Sequence, residues 1–179
     1  MTSQQKKVVL GLDVSTSVIG YTFFDYDKKL LSIGYIALHR HKTLNHKVDA
    51  YLRVLTLLCK ESNYSIAAVI IEKPLLSFSR TSSAQTIAKL NAFTGAVSYL
   101  MFTLVGKDPE FINASTARKK VCGKLDRSRA KELAFAFVKL REPEINWPVK
   151  VKGKNKGSYK KECMDMADSY IVGRAYFND

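Results

Sequence analysis

The stretch VVLGLDVSTSVIGYTFFDYDKKLLSIGYIAL, residues 8–38, carries the reading of the fold. Residues 8–14 form an apolar, β-branched run containing Asp13 near its end, and residues 21–26 form a second strand-like segment beyond the turn at Ser15, Thr16 and Ser17. After a polar turn over residues 25–29, strand character resumes over residues 30–38, so the pattern predicts a three-stranded antiparallel meander.

Beyond the meander the period changes. Val48, Tyr51, Leu52, Leu55 and Leu58 recur at helical spacing and predict a helix over about residues 45–59. Residues 67–71 are a continuous apolar run ending in Glu72 and closed by Pro74, as in a central strand covered on both faces. A second amphipathic helix spans about residues 84–104, with Ile87, Leu90, Phe93, Ala96, Val97, Leu100 and Met101 on its stripe. A short fifth strand follows at residues 110–114, a helix at 131–140, and a last helix at 161–177 behind a Gly/Lys-rich loop. The order implies an α/β fold in which a mixed five-stranded sheet, three antiparallel strands then two parallel, is flanked by helices.

At 179 residues, with no internal repeat or linker, the chain is expected to be a single domain over residues 1–179. No stretch reaches the apolar length of a membrane span, and the amino terminus lacks the apolar core of a signal peptide, so a soluble, cytoplasmic protein is expected. Cys59, Cys122 and Cys163 stand far apart without a CxxC pair, which argues against a disulfide framework or a zinc site.

Charge is more informative. Against 16 Asp plus Glu stand 29 Lys plus Arg, a net +13 that points to a polyanion, most simply nucleic acid. The cations cluster: Arg118, Lys119, Lys120, Lys124, Arg127, Arg129 and Lys131 fall in one region, and Lys150, Lys152, Lys154, Lys156, Lys160 and Lys161 in another. Phosphate neutralisation relieves such self-repulsion, whereas neither cluster has the bulky apolar pattern of an interfacial membrane segment.

Four carboxylates carry the chemistry. Asp13 and Glu72 each end an apolar strand, where an unpaired charge is costly. The plainer readings are a cap on the Ser15–Thr16 turn for Asp13 and a lysine salt bridge for Glu72. Asp165 and Asp168, spaced i, i+3 on the last helix, point from one face; lysines could neutralise them in solvent, and a shared divalent cation would do so more specifically. Glu162, one turn upstream, is an auxiliary candidate. Such oxygen donors suit a pair of magnesium ions, which activate a water for phosphodiester attack without a covalent nucleophile. His39, His41 and His46 cluster at the end of the third strand, but they lack a fourth ligand and read as surface or DNA-facing side chains.

The motifs GLDVSTSVIGY (residues 11–21), VIIEKPL (69–75) and DMADSYIVG (165–173) resemble the three acidic motifs of RuvC-type Holliday-junction resolvases, of the ribonuclease H-like fold. AQTIAKLNAFTGAVSYLM (84–101) is similar to that family's helix after the glutamate strand, and FINASTARKKVCGK (111–124) to its next strand and basic turn, so the likeness covers nearly the whole chain. The resemblance implies a homodimer that nicks two strands of a four-way junction symmetrically, with Asp13, Glu72, Asp165 and Asp168 as catalytic ligands of two Mg2+ ions, Mn2+ substituting. It assigns Arg118, and Arg129 or Lys131, to DNA contact or catalytic support, and the residue 84–104 helix to the dimer contact. With the clustered charge, the expected DNA-binding set is Arg118, Lys119, Lys120, Lys124, Arg129, Lys131, Lys154 and Lys156. Where bacterial members often carry an aromatic soon after the glutamate, this chain has Leu75, with Phe78 the nearest aromatic; these two are the junction-contacting candidates. The unusually basic residue 150–161 loop resembles phage-encoded relatives and implies tolerance of other branched DNA.

Three other readings compete, one of them a binding-only protein with a degenerate site, against which the filling of all four acidic positions argues. GLDVSTS also resembles the phosphate loop of actin-like and sugar-kinase ATPases, but those enzymes place nucleotide between two such domains, and the second loop is not found here. No nucleotide cofactor is therefore expected. A nuclease of the same fold acting on structured RNA uses the same metal logic.

Overall fold

A computed structural model describes residues 4–74 and 83–177. Its centre is a five-stranded sheet in the order β3-β2-β1-β4-β5, built from β1 (Lys6–Val14), β2 (Val18–Phe24), β3 (Leu30–Ala37), β4 (Tyr64–Glu72) and β5 (Glu110–Ile112). The first three strands pair antiparallel, while β4 runs parallel to β1 and β5 parallel to β4. The helices are α1 (Leu44–Glu61), α2 (Ala84–Val105), α3 (Ala114–Cys122), α4 (Ala130–Arg141) and α5 (Glu162–Ala175), with a 3-10 turn at Arg127–Arg129 before α4.

The two-residue period of β1 sorts its side chains between two cores. Val8, Leu10 and Leu12 pack with Tyr51 and Leu55 of α1 and Phe93, Val97 and Met101 of α2. Val9 instead joins Phe24, Ile70, Ala117, Phe135, Met166, Tyr170 and Ile171 beneath α3, α4 and α5. Burying each large aliphatic or aromatic side chain contributes roughly 1.5–3 kcal/mol, so both faces of the sheet are sealed by their own helices. Asp13 shares parity with Val9 and faces the second layer.

α5 is buried around most of its circumference, Cys163 and the run from Met166 to Val172 included, as befits a helix enclosed between sheet and helices. Two sheet glycines admit it. A Cβ at Gly11 would lie 2.6 Å from the Gly173 Cα, and one at Gly20 would lie 2.5 Å from the Asp165 carbonyl carbon. Gly11 pairs with Thr22, and Asp13 with Gly20, across β1 and β2, so the glycines bring the α5 backbone directly over Asp13. The Thr22 and Ser169 hydroxyls, both buried and 2.8 Å apart, fix its axial position.

Several elements differ from the sequence expectation. β2 begins at Val18 rather than at residue 21 because the turn is tighter: the Ser15 hydroxyl donates to the Val18 carbonyl at 2.8 Å and accepts from the Val18 N–H at 3.1 Å. β5 stops at Ile112, and the expected basic turn is α3, a helix with Asn113 at its N-cap and a single buried residue, Ala117. α2 is long and apolar enough by length and composition to cross a membrane, contrary to expectation; here it lays Phe93, Val97 and Met101 on the sheet.

Candidate metal centre and its basic surround

The carboxyl ends of β1 and β4 are adjacent and parallel, with Leu12 opposite Ile71, so Asp13 and Glu72 emerge side by side on the α5 face. α5 supplies Asp168 from above. Carboxylate oxygens of Asp13, Glu72 and Asp168 lie within 4.8 Å of one another, Asp168 buried and the other two half-buried. The turn cap considered for Asp13 belongs to Ser15 instead, and no lysine bridge to Glu72 is found among the described residues. Glu72 Oε2 is buried without a hydrogen-bond partner.

Cations answer part of this charge. Arg118, carried by α3, donates to Asp168 Oδ1 from Nη2 at 2.7 Å and from Nε at 3.2 Å. Lys131, in the first turn of α4, places Nζ 3.2 Å from Asp168 Oδ2; that oxygen lacks an aligned hydrogen bond, so the contact is mainly one of charge. Burial works against the charged forms of Arg118 and Lys131, and Asp168 with its neighbours outweighs it.

The acids remain underneutralised. Burial first, then the charges of Glu72 and Asp168, hold Asp13 well above the ordinary carboxylate range. Burial and then Asp168 push Glu72 up to about 7. A site whose carboxylates resist ionisation, with two oxygens lacking a hydrogen bond, is chemically complementary to a hard divalent cation, which would favour the charged forms and supply the missing partner.

Asp165 stands apart from the tight trio. Its carboxyl is nonetheless raised by burial, with Lys131 opposing and Asp168 adding to the rise, so it shares the same field. Glu162 is half-buried on the same helix. Lys119, Lys120, Lys124 and Arg129 are exposed around α3 and the start of α4, Arg129 paired with Glu132 at 3.2 Å, and Lys154 and Lys156 are exposed in the loop before α5. Leu75 and Phe78 lie outside the described residues. His39 and His46 are exposed and His41 half-buried, and none belongs to a metal-ligand group among the described residues.

Sequence reasoning missed the inward reach of Arg118. The signal was available: if ASTARKKVC is helical, Arg118 lies i, i+4 from Ala114 and i, i+3 before Val121, on the face that packs inward.

No protein-family model matches the chain, and no curated protein matches it. Solved structures do. RuvC from Thermus thermophilus in complex with a Holliday junction substrate superposes with a TM-score of 0.60 at 13% identity, over 94% of this chain and 91% of that one. A fowlpox virus resolvase solved with Holliday junction DNA gives 0.53 at 17%, over 95% and 96%. The yeast mitochondrial Holliday junction resolvase Ydc2 gives 0.55 at 14%, over 97% of this chain and 79% of that one. The chain thus shares, nearly end to end, the fold of these resolvases.

Proposed function

We propose that the protein is a divalent-metal-dependent endonuclease that resolves four-way DNA junctions by paired symmetric nicks and acts on related branched DNA. The observation that carries this reading is the convergence of Asp13, Glu72 and Asp168 within 4.8 Å, at strand ends and beneath a buried helix, in a fold shared with junction resolvases.

Asp13, Glu72 and Asp168 would hold Mg2+ or Mn2+, with Asp165 completing the donor set for a pair of ions. Such ions, when bound, lower the pKa of a water and stabilise charge on the leaving oxygen. The chain's own contribution is positioning: β1 and β4 fix two carboxylates, and the glycine-lined seat of α5 fixes the others. Arg118 and Lys131 relieve carboxylate repulsion and set positive charge where a phosphodiester would approach. Lys119, Lys120, Lys124 and Arg129 extend that field for the flanking backbone.

α2 supports a homodimer. Tyr99 and Phe102 are 72% and 43% exposed on a helix whose opposite side is core, an apolar surface suited to a twofold contact. Two sites related by that axis would match two strands of like polarity. Cys59, Cys122 and Cys163 are free thiols, in keeping with a reducing cytoplasm, that of the host if the protein is phage-encoded.

The test is cleavage of end-labelled four-way junction, fork, linear duplex and structured RNA, each with magnesium and with EDTA. Metal-dependent paired nicks in the junction are expected; cutting of RNA alone would assign the protein to ribonucleases of the same fold.

A further inference from the structure

We infer that residues 147–160 form a stapled basic arm that grips the phosphate backbone of duplex DNA beside the site. This rests on the preceding section only for the identity of the polyanion. The segment is a built hairpin. Val149 and Tyr159 form an antiparallel bridge, the Lys150 N–H donates to the Ser158 carbonyl at 2.8 Å, and the Lys160 N–H donates to the Pro148 carbonyl at 2.9 Å. Gly153 and Gly157, both at φ 85°, make its sharp bends in a region of backbone space that favours glycine.

Its base is held by aromatic packing. The Phe135 ring of α4 meets Trp147 edge-on at 4.8 Å and Tyr159 edge-on at 5.2 Å, while Lys139 Nζ sits 4.7 Å above the Tyr159 ring. Trp147 is buried, and Cys163 of α5 donates its thiol to the Pro148 carbonyl at 3.3 Å. A merely solvated loop needs no such staple.

Above it, Lys150, Lys152, Lys154 and Lys156 are all exposed, and among the described residues none has an acidic partner. Ordering four like charges on one short hairpin is unfavourable unless an extended polyanion neutralises them. The arm runs directly into α5, one turn before Asp165, so a strand held on it leads to the carboxylates. Regularly spaced charge, with Lys150, Lys152, Lys154 and Lys156 at every second position, fits sequence-independent backbone contact.

The experiment measures affinity for a labelled duplex of random sequence in EDTA, from about 50 to about 200 mM salt. K150S/K152S/K154S/K156S is expected to bind at least about tenfold more weakly at the upper salt and to flatten the slope of log Kd against log salt by up to about 3.6, roughly 0.9 per phosphate contact. The corresponding K150R/K152R/K154R/K156R is expected to restore both. An unchanged slope in the serine variant, or equal weakening in both variants, overturns the arm. So does loss of binding to phosphatidylserine vesicles with duplex affinity intact, which would assign the lysines to lipid. Acetylation of wild-type lysines with and without duplex, read by mass spectrometry, needs no variant to fold: Lys150 to Lys156 should be protected, and full reactivity in the complex overturns the proposal. Neither readout uses cleavage, so a wild type that binds duplex but never cuts a junction would refute the nuclease reading alone.

Discussion

Asp13 and Glu72 set the residue-scale behaviour. Because their folded-state pKa values are raised, they contribute stability that is fully present below the unfolded values and lost as pH rises through the folded ones, about 7 for Glu72. The metal-free protein is therefore expected to lose thermal stability from about pH 4.5 to about pH 7. Glu72→Gln should flatten that decline and raise the midpoint in EDTA at neutral pH, as followed by circular dichroism; parallel wild-type and variant profiles would contradict the assignment. Magnesium should restore wild-type stability most strongly above pH 7, where binding releases the most strain. Lys131 gives a second prediction. Removing a cation that competes for Asp168 should tighten metal binding by calorimetry, while Lys131→Ala slows cleavage about 10–100-fold, the usual range for a group supporting a metal ligand. Weaker metal binding in this variant would mean that the lysine helps to hold the site rather than to balance it.

At the scale of elements, the seat of α5 decides whether the carboxylates meet. Gly20→Ala would drive a methyl into the Asp165 backbone, so a loss of about 1–3 kcal/mol is expected from overpacking, together with a marked fall in cleavage as Asp165 and Asp168 shift. Wild-type stability and activity in Gly20→Ala would show that the helix is placed by something else. The same elements show what the sequence made legible. Strands written as continuous apolar runs, β1 and β4, and helices with long apolar stripes, α1 and α2, were readable because burial on both faces of a sheet or along one face of a helix leaves just those patterns. α3 was not, because a nine-residue helix that buries only Ala117 leaves no stripe, and its lysines mimic a polar turn. The acidic trio was legible from two strand-end carboxylates and the paired aspartates of the last helix, but the separation of Asp165 from it was not. Spacing i, i+3 puts both aspartates on one face of α5 without saying how deep each sits.

At the scale of the molecule, the proposed dimer rests on the exposed face of α2 and the proposed DNA contact on charge. Tyr99→Asp with Phe102→Asp is expected to convert a dimer to a monomer in sedimentation and to leave the fold intact, since both side chains are solvent-exposed in the single chain. A wild type that sediments as a monomer at micromolar concentration would count against paired cutting. The excess of +13 points to a polyanion, yet only the folded chain shows which cations face the site: Arg118 and Lys131 turn inward to Asp168, while the lysines of the 147–160 arm stay outside. The most direct test of the central claim is nick mapping on a four-way junction labelled separately on each strand, with wild type and Asp168→Asn in magnesium. Symmetric nicks on two strands of like polarity by the wild type, abolished in Asp168→Asn with junction binding retained, are predicted. Equal cleavage by Asp168→Asn, or wild-type cleavage that persists in EDTA, would contradict it.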